Sequence, residues 1–247
     1  MKAIDRLLES VSYDAPVKQI VVGAFWTAVV LDTDPPRCGL ASTLRAETGG
    51  PWPPVVKAGG LLERSGQALA ELLRSDRILE ASIGMAAFNA LLEDDETAMT
   101  EANAGEIILE RGAGKRVVII GHFPFIEQVR EAAAECWVLE LRPGPEELPA
   151  SQAPEVLPQA DVVALTGTSL LNHTFDDLCA LCRPDAFVLT LGPSVPLTPV
   201  LFELGVDALS GTRVDEPDHV LKSVSQGATF RQIKRAGGLR LLTWIQA

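Results

Sequence analysis

Four short apolar runs separated by stretches of helical spacing constrain this chain more than any other feature. They are Arg116-Val117-Val118-Ile119-Ile120, Trp137 to Leu141, Asp161-Val162-Val163-Ala164-Leu165 and Ala186-Phe187-Val188-Leu189-Thr190. A strand that is apolar on both faces must be covered on both faces, and strands that alternate with helices pair in parallel. Helices are predicted over 124–134, 174–182 and 198–204, and a short fifth strand over Val206 to Leu209. Right-handed crossovers then give a Rossmann-like, doubly wound parallel sheet. The segment from Arg142 to Pro158 carries five prolines and reads as a long surface loop.

The N-terminal part has a different pattern. Ile4, Leu7, Leu8 and Val11 have helical spacing, and Gln19 to Leu31 reads as two strands or a bent hairpin. Cys38 to Arg45 suggests a third strand, Gly49-Gly50-Pro51-Trp52-Pro53-Pro54 a loop, and Ser65-Gly66 the start of a short helix. The chain has 247 residues, enough for one large domain or two small ones. The reading is an α/β protein: a small α+β module over residues 1–75, followed by a Rossmann-like domain over 76–247. A helix from Ile78 to Leu92 opens the second part, with an apolar face of Ile78, Met85, Phe88 and Leu92. The run Glu93-Asp94-Asp95-Glu96 ends it as a solvated linker.

In an open parallel sheet, ligands bind beyond the carboxyl ends of the strands, near the point where strand order reverses. The residues following the strands are Gly121-His122-Phe123-Pro124, Thr166-Gly167-Thr168-Ser169 with Asn172-His173-Thr174, Leu191-Gly192-Pro193-Ser194, and Ser210-Gly211-Thr212. Glycine lets backbone approach a ligand, and hydroxyls and amides orient it. Thr174 and Asp177 have the spacing of a capping box, and Pro124 that of a first helical position. His219 falls in a polar, exposed helix. The first loop lacks G-x-G-x-x-G, because Phe123 stands where a second glycine would admit a pyrophosphate. Glu140 stands 19 residues after Gly121, where an acid could hold a ribose. No P-loop, nucleophile elbow or H-E-x-x-H occurs.

Cys179 and Cys182 form a C-x-x-C, but with Phe175 and Leu178 they make the apolar stripe of a helix close to its end, so they read as core. Cys136 opens an apolar run and reads as buried. Cys38, beside Gly39 in a polar context, is the expected exposed thiol. Acidic residues outnumber basic ones 33 to 21, a net charge of −12, which argues against a nucleic-acid role. No apolar run reaches the ~20 residues of a membrane span, and charges interrupt the N-terminus. The expected location is cytoplasmic.

At these loops the sequence resembles the putative heavy-metal chelation domain family. The matching stretches are Gly39-Leu40-Ala41, Ser82-Ile83-Gly84-Met85-Ala86-Ala87-Phe88-Asn89-Ala90 and Gly121-His122-Phe123-Pro124. Further on come Thr166-Gly167-Thr168-Ser169-Leu170-Leu171-Asn172, Gly192-Pro193-Ser194 and Gly211. The resemblance implies a module like the small domain of enolase, joined to a Rossmann-like domain, with a site in the cleft between them. The expected ligand-binding residues are Gly39, Gly121, Phe123, Thr166, Gly167, Thr168, Asn172, Gly192, Pro193 and Ser194. Cys38 and His122 are the candidate donors to a divalent transition metal, since thiolate and imidazole suit such ions. The expected function is binding of a heavy metal or a metal chelate. The alternative is an enzyme acting on a small anionic metabolite with a nucleotide-type cofactor, with His122 as general acid or base. The partner is a small molecule or metal, with no nucleic acid and no membrane; self-association into a homo-oligomer stays open.

Overall fold

A computed structural model describes residues 2–45, 50–92 and 96–246. Three strands, β1 (Val17–Val22), β2 (Trp26–Leu31) and β3 (Arg37–Ser42), form an antiparallel meander in that order. The short helix Gly66–Ala70 begins as predicted at Ser65, whose hydroxyl accepts the Ala68 amide hydrogen. Gly49 of the predicted loop and residues 93–95 of the acidic run lie outside the described residues. Glu96 receives two hydrogen bonds from Arg240, at 2.7 and 2.9 Å, which hold its carboxyl below the usual range.

One face of the meander rests on the helix Ile78–Leu91. That helix is buried nearly all round rather than along one apolar face, because it lies between the meander and the second sheet. Its small residues permit this. A Cβ on Gly84 would stand 2.2 Å from the Leu73 nitrogen, and one on Gly39 of β3 would stand 2.1 Å from the Ala86 carbonyl oxygen. The other face of the meander is covered by the helices Pro217–Ser225 and Phe230–Ala236. There Ala28, Val30, Cys38 and Leu40 pack with Val214, Val220, Val224 and Ile233.

The second sheet contains β4 (Met99–Thr100), β5 (Arg116–Ile120), β6 (Glu135–Glu140), β7 (Leu148–Pro149), β8 (Val162–Thr166), β9 (Phe187–Leu191), β10 (Ala208–Val214) and β11 (Leu239–Ile245). Their order is β4-β11-β10-β9-β8-β5-β6-β7. The strands from β7 to β10 are parallel, and β11 is antiparallel to both β10 and β4. Helix Phe175–Leu181 matches the predicted one closely, and Ile126–Ala132 is a shorter version of its prediction. Pro199–Leu204 is a 3-10 turn rather than an α-helix, ending on Gly205 at φ 87°. The predicted loop 142–158 instead holds β7 and a short helix, Ala153–Val156. Among the described residues no helix is long and apolar enough to cross a membrane.

The amino ends of β5 and β8 are tied together by Asp161. Its carboxylate accepts from the Arg116 amide (3.0 Å) and guanidinium (3.0 and 3.1 Å), and from Arg183 (2.9 Å). The Arg116 guanidinium above all holds this carboxyl well below the usual aspartate range. A depressed native pKa stabilises the fold above the unfolded value and is lost as pH falls toward the native one. Water reaches the pair, so Asp161→Asn should cost about 1–2 kcal/mol at pH 7. Urea unfolding at pH 7 and pH 3 should show the difference between wild type and variant narrowing in acid; a difference that stays constant would refute this role.

Candidate functional site at the strand-order reversal

β5 lies between β8 and β6, so the sheet reverses its strand order at β5. Above the carboxyl ends at that point is a cleft of about 560 Å³. Both halves of the chain contribute to it. Trp26 and Ser42 come from the meander, and the loops after β5, β6, β8 and β9 supply most of the remaining wall.

Gly121, His122, Phe123, Thr166, Gly167, Thr168, Asn172, Gly192, Pro193 and Ser194 all lie on the wall of this cleft. Two glycines there have backbone angles that disfavour any side chain: Gly121 at φ 106° and Gly192 at φ 117°. Gly167 serves close packing, since a Cβ would stand 2.6 Å from Val195 Cγ2. The hydroxyls are knit together locally. Thr166 and Thr168 hydroxyls are 3.0 Å apart, and Ser169 donates to the Thr166 carbonyl at 2.7 Å. Buried Ser194 joins the two halves: its Oγ accepts the Ser42 amide hydrogen at 2.9 Å and donates to Ser42 Oγ at 3.1 Å.

Cys38 and Gly39 do not reach this cleft wall. Cys38 was expected to be an exposed thiol; it is buried at 8% exposure among Val30, Leu40 and the C-terminal helices. Burial pushes its thiol up to about 12, so it carries no thiolate at neutral pH. Gly39 is needed for the contact between β3 and helix Ile78–Leu91 described above. The C-x-x-C thiols pack against the core as expected, and burial pushes Cys179 up to about 12 and Cys182 up to about 11. Cys136, expected to be buried, is half-buried, with its thiol pushed up to about 11. His173 also lies off this wall. It sits at φ 62° and its Nε2 lies 2.9 Å from the Leu73 carbonyl, so it donates there and links the two halves.

Several further wall residues stand outside the ligand-binding set expected from the sequence, and Glu140, the acid that could hold a ribose, is among them. Thr174 and Asp177 have the spacing of a capping box, but Thr174 makes no side-chain cap. Its hydroxyl donates to Asn172 Oδ1 at 2.7 Å, and both residues face the cleft. Leu141, Pro154, Leu178 and Leu181 form an apolar side, and Glu140 at the end of β6 is half-buried in the wall. Burial is the main cause raising the Glu140 carboxyl above its ordinary value, with the Glu147 charge adding to it.

His122 is 76% exposed, and its Nδ1 is 3.0 Å from Glu147 Oε1. Glu147 also accepts the Gly144 amide hydrogen at 2.8 Å; that bond first, and His122 second, hold its carboxyl below the usual range. An ionised carboxylate only accepts, so Nδ1 donates, leaving Nε2 of the neutral ring with a free lone pair. Among the described residues no group of three or more His, Cys, Asp or Glu side chains is placed to hold a metal ion. The donor set therefore does not fit a closed protein-only metal cage, which needs about four ligands.

Two family profiles match the chain, both described as putative heavy-metal chelation, over residues 4–92 and 103–243. A crystal structure of a protein of unknown function from the DUF364 family of Desulfitobacterium hafniense is similar to it. The TM-score is 0.82 at 25% identity, covering 98% of this chain and 97% of that one. A second protein of unknown function from the DUF364 family, from Pyrococcus horikoshii, shares the fold with a TM-score of 0.83 at 20% identity, covering 99% and 98%. An uncharacterized protein of Methanocaldococcus jannaschii is 27% identical over 153 residues; the match spans 58% of this chain and 58% of that relative's length.

Proposed function

The chain belongs to the putative heavy-metal chelation family, and from that premise we propose that its cleft receives a heavy metal already held by a small organic chelator. The observation that carries this reading is the mismatch between space and donors. The cleft, at about 560 Å³, has the size of a small-molecule site, yet among the described residues no cage of three or more donors forms. A chelator supplies most of the metal's ligands itself. The hydroxyls, amides and apolar wall then hold the organic part, and the protein adds at most a donor or two.

His122 is the protein donor in this reading. Ligating histidines ordinarily donate their second ring nitrogen to a carboxylate, which fixes the tautomer and raises the basicity of the first. His122 and Glu147 are so arranged, with Nε2 left to coordinate. Imidazole suits nickel, cobalt, zinc and copper.

Equilibrium dialysis with metal analysis tests this directly. The probes are Ni²⁺, Co²⁺, Zn²⁺ and Cu²⁺ as free ions and as their citrate and histidine complexes. At least one complex should load near one equivalent and at least tenfold more tightly than its free ion. Loading of free ion with equal or higher affinity, or no loading by any probe, would overturn the reading.

A further inference from the structure

We propose that the β6 side of the cleft is a ribose subsite, in which Glu140 accepts the 2′- and 3′-hydroxyl hydrogens of a ribonucleoside that carries no phosphate. The inference rests on the reading of the cleft as a site for an organic ligand, and names a chemical class for it.

Topology places the acid. β6 is the neighbour of β5 on the side away from β8, and Glu140 is its last residue. In a parallel sheet that reverses order at its first parallel strand, an acid closing the next strand stands where ribose hydroxyls of a bound nucleoside lie. The side chain meets the requirement locally. Glu140 lines the cleft and is half-buried, and its Oε2 accepts the Leu141 amide hydrogen at 3.2 Å. No other hydrogen bond reaches this carboxylate among the described residues. A desolvated carboxylate with unused lone pairs calls for donors, and a vicinal diol offers two side by side. Burial has already raised its proton affinity, a penalty that such donors relieve. Leu141, the next residue, and Pro154 on the same cleft wall add apolar surface for a base.

The same wall disfavours phosphate. A Cβ on Gly121 would stand 3.2 Å from Phe123 Cε2, so the phenyl ring crowds the turn that a pyrophosphate would approach. Phe123 is held there by stacking on Phe125, with centroids 5.3 Å apart and planes 8° apart. Glu140 and Glu147 add negative charge beside this turn. The substituent at the nucleoside 5′ position is therefore neutral or cationic.

Isothermal titration of the metal-free full chain tests the subsite. The probes are adenosine, guanosine, cytidine and uridine, their 2′-deoxy counterparts, free ribose, AMP and NAD. At least one ribonucleoside should bind, with its 2′-deoxy form, free ribose and the phosphorylated probes at least tenfold weaker. Glu140→Gln, with unchanged melting, should lose at least tenfold in ribonucleoside affinity. The deoxy comparison uses the wild-type chain and so holds even if the variant fails to fold. No ribonucleoside binding, equal binding of the deoxy forms, or AMP or NAD binding as tightly would overturn the subsite. Chelate loading without ribonucleoside affinity would sink this inference alone; ribonucleoside affinity without chelate loading would sink the metal reading alone.

Discussion

Gly39→Ala should destabilise the fold by about 3 kcal/mol or more, lowering the melting temperature by about 6–12 °C. An ideal Cβ at this position stands 2.1 Å from the Ala86 carbonyl oxygen, 2.4 Å from the Ala90 nitrogen and 2.8 Å from the Asn89 carbonyl carbon. All three are backbone atoms of the helix Ile78–Leu91. No rotamer change relieves such contacts; strand and helix must separate, and that helix carries Met85 and Phe88 at the centre of the largest core cluster. Gly192→Ala is the informative comparison. Its Cβ would meet nothing within 4 Å, so only the φ of 117° resists it, at about 1–3 kcal/mol. The two substitutions should therefore rank oppositely. Gly39→Ala should cost more stability and leave ligand affinity of the folded fraction unchanged, while Gly192→Ala, on the cleft wall, should cost affinity. Differential scanning calorimetry with binding on the same samples would show it. A Gly39→Ala protein melting within a degree of wild type would refute the tight strand–helix contact.

The parts of this fold that are legible in the sequence are those whose burial is local in origin. β5, β8 and β9 are apolar on both faces because helices cover both sides, so each run of Val, Ile and Leu announces its strand to within a residue or two. β10 and β11 were less legible. β10 continues through Gly211, Thr212 and Arg213, whose partners in an antiparallel ladder lie in a strand some thirty residues later; only its first residues look like a buried strand. The loops at the carboxyl edge were found because the rule for parallel sheets is topological and needs only strand positions. Cys38 went wrong for the opposite reason. Arg37 and Gly39 make its sequence context polar, while the residues that bury it, Val214, Val220 and Val224, come from a C-terminal segment that folds back over the meander. Trp26 and Ser42 were invisible as wall residues because only the docking of the meander against the β9 loop, through Ser42 and Ser194, brings them there. The capping-box reading of Thr174 failed because its backbone is in the helical region (φ −95°, ψ −7°), not the extended conformation a cap residue needs, and its hydroxyl donates to Asn172 Oδ1 instead.

His122→Ala should lower the affinity for whichever metal chelate loads by about 100-fold, and Glu147→Gln by about 10–100-fold. The two effects have one cause and should not add. If Glu147 acts by fixing the His122 tautomer, removing the ring abolishes what the carboxylate does, and the double variant should bind no worse than His122→Ala within about threefold. Neither change should unfold the protein: the His122 side chain is 76% exposed and fills no core cavity, and Gln at 147 keeps the shape of the 14% exposed Glu147 side chain and an oxygen to accept the Gly144 amide. The carboxyl of Glu147 is held below the usual glutamate range, first by the Gly144 amide and then by His122. It therefore stays ionised into weakly acidic solution and keeps directing the proton to Nδ1. Dialysis of wild type, the two single variants and the double variant at pH 7 gives these comparisons at once. Unchanged loading in His122→Ala would exclude the ring as a metal donor and leave the cleft's hydroxyls and amides to hold the chelate alone.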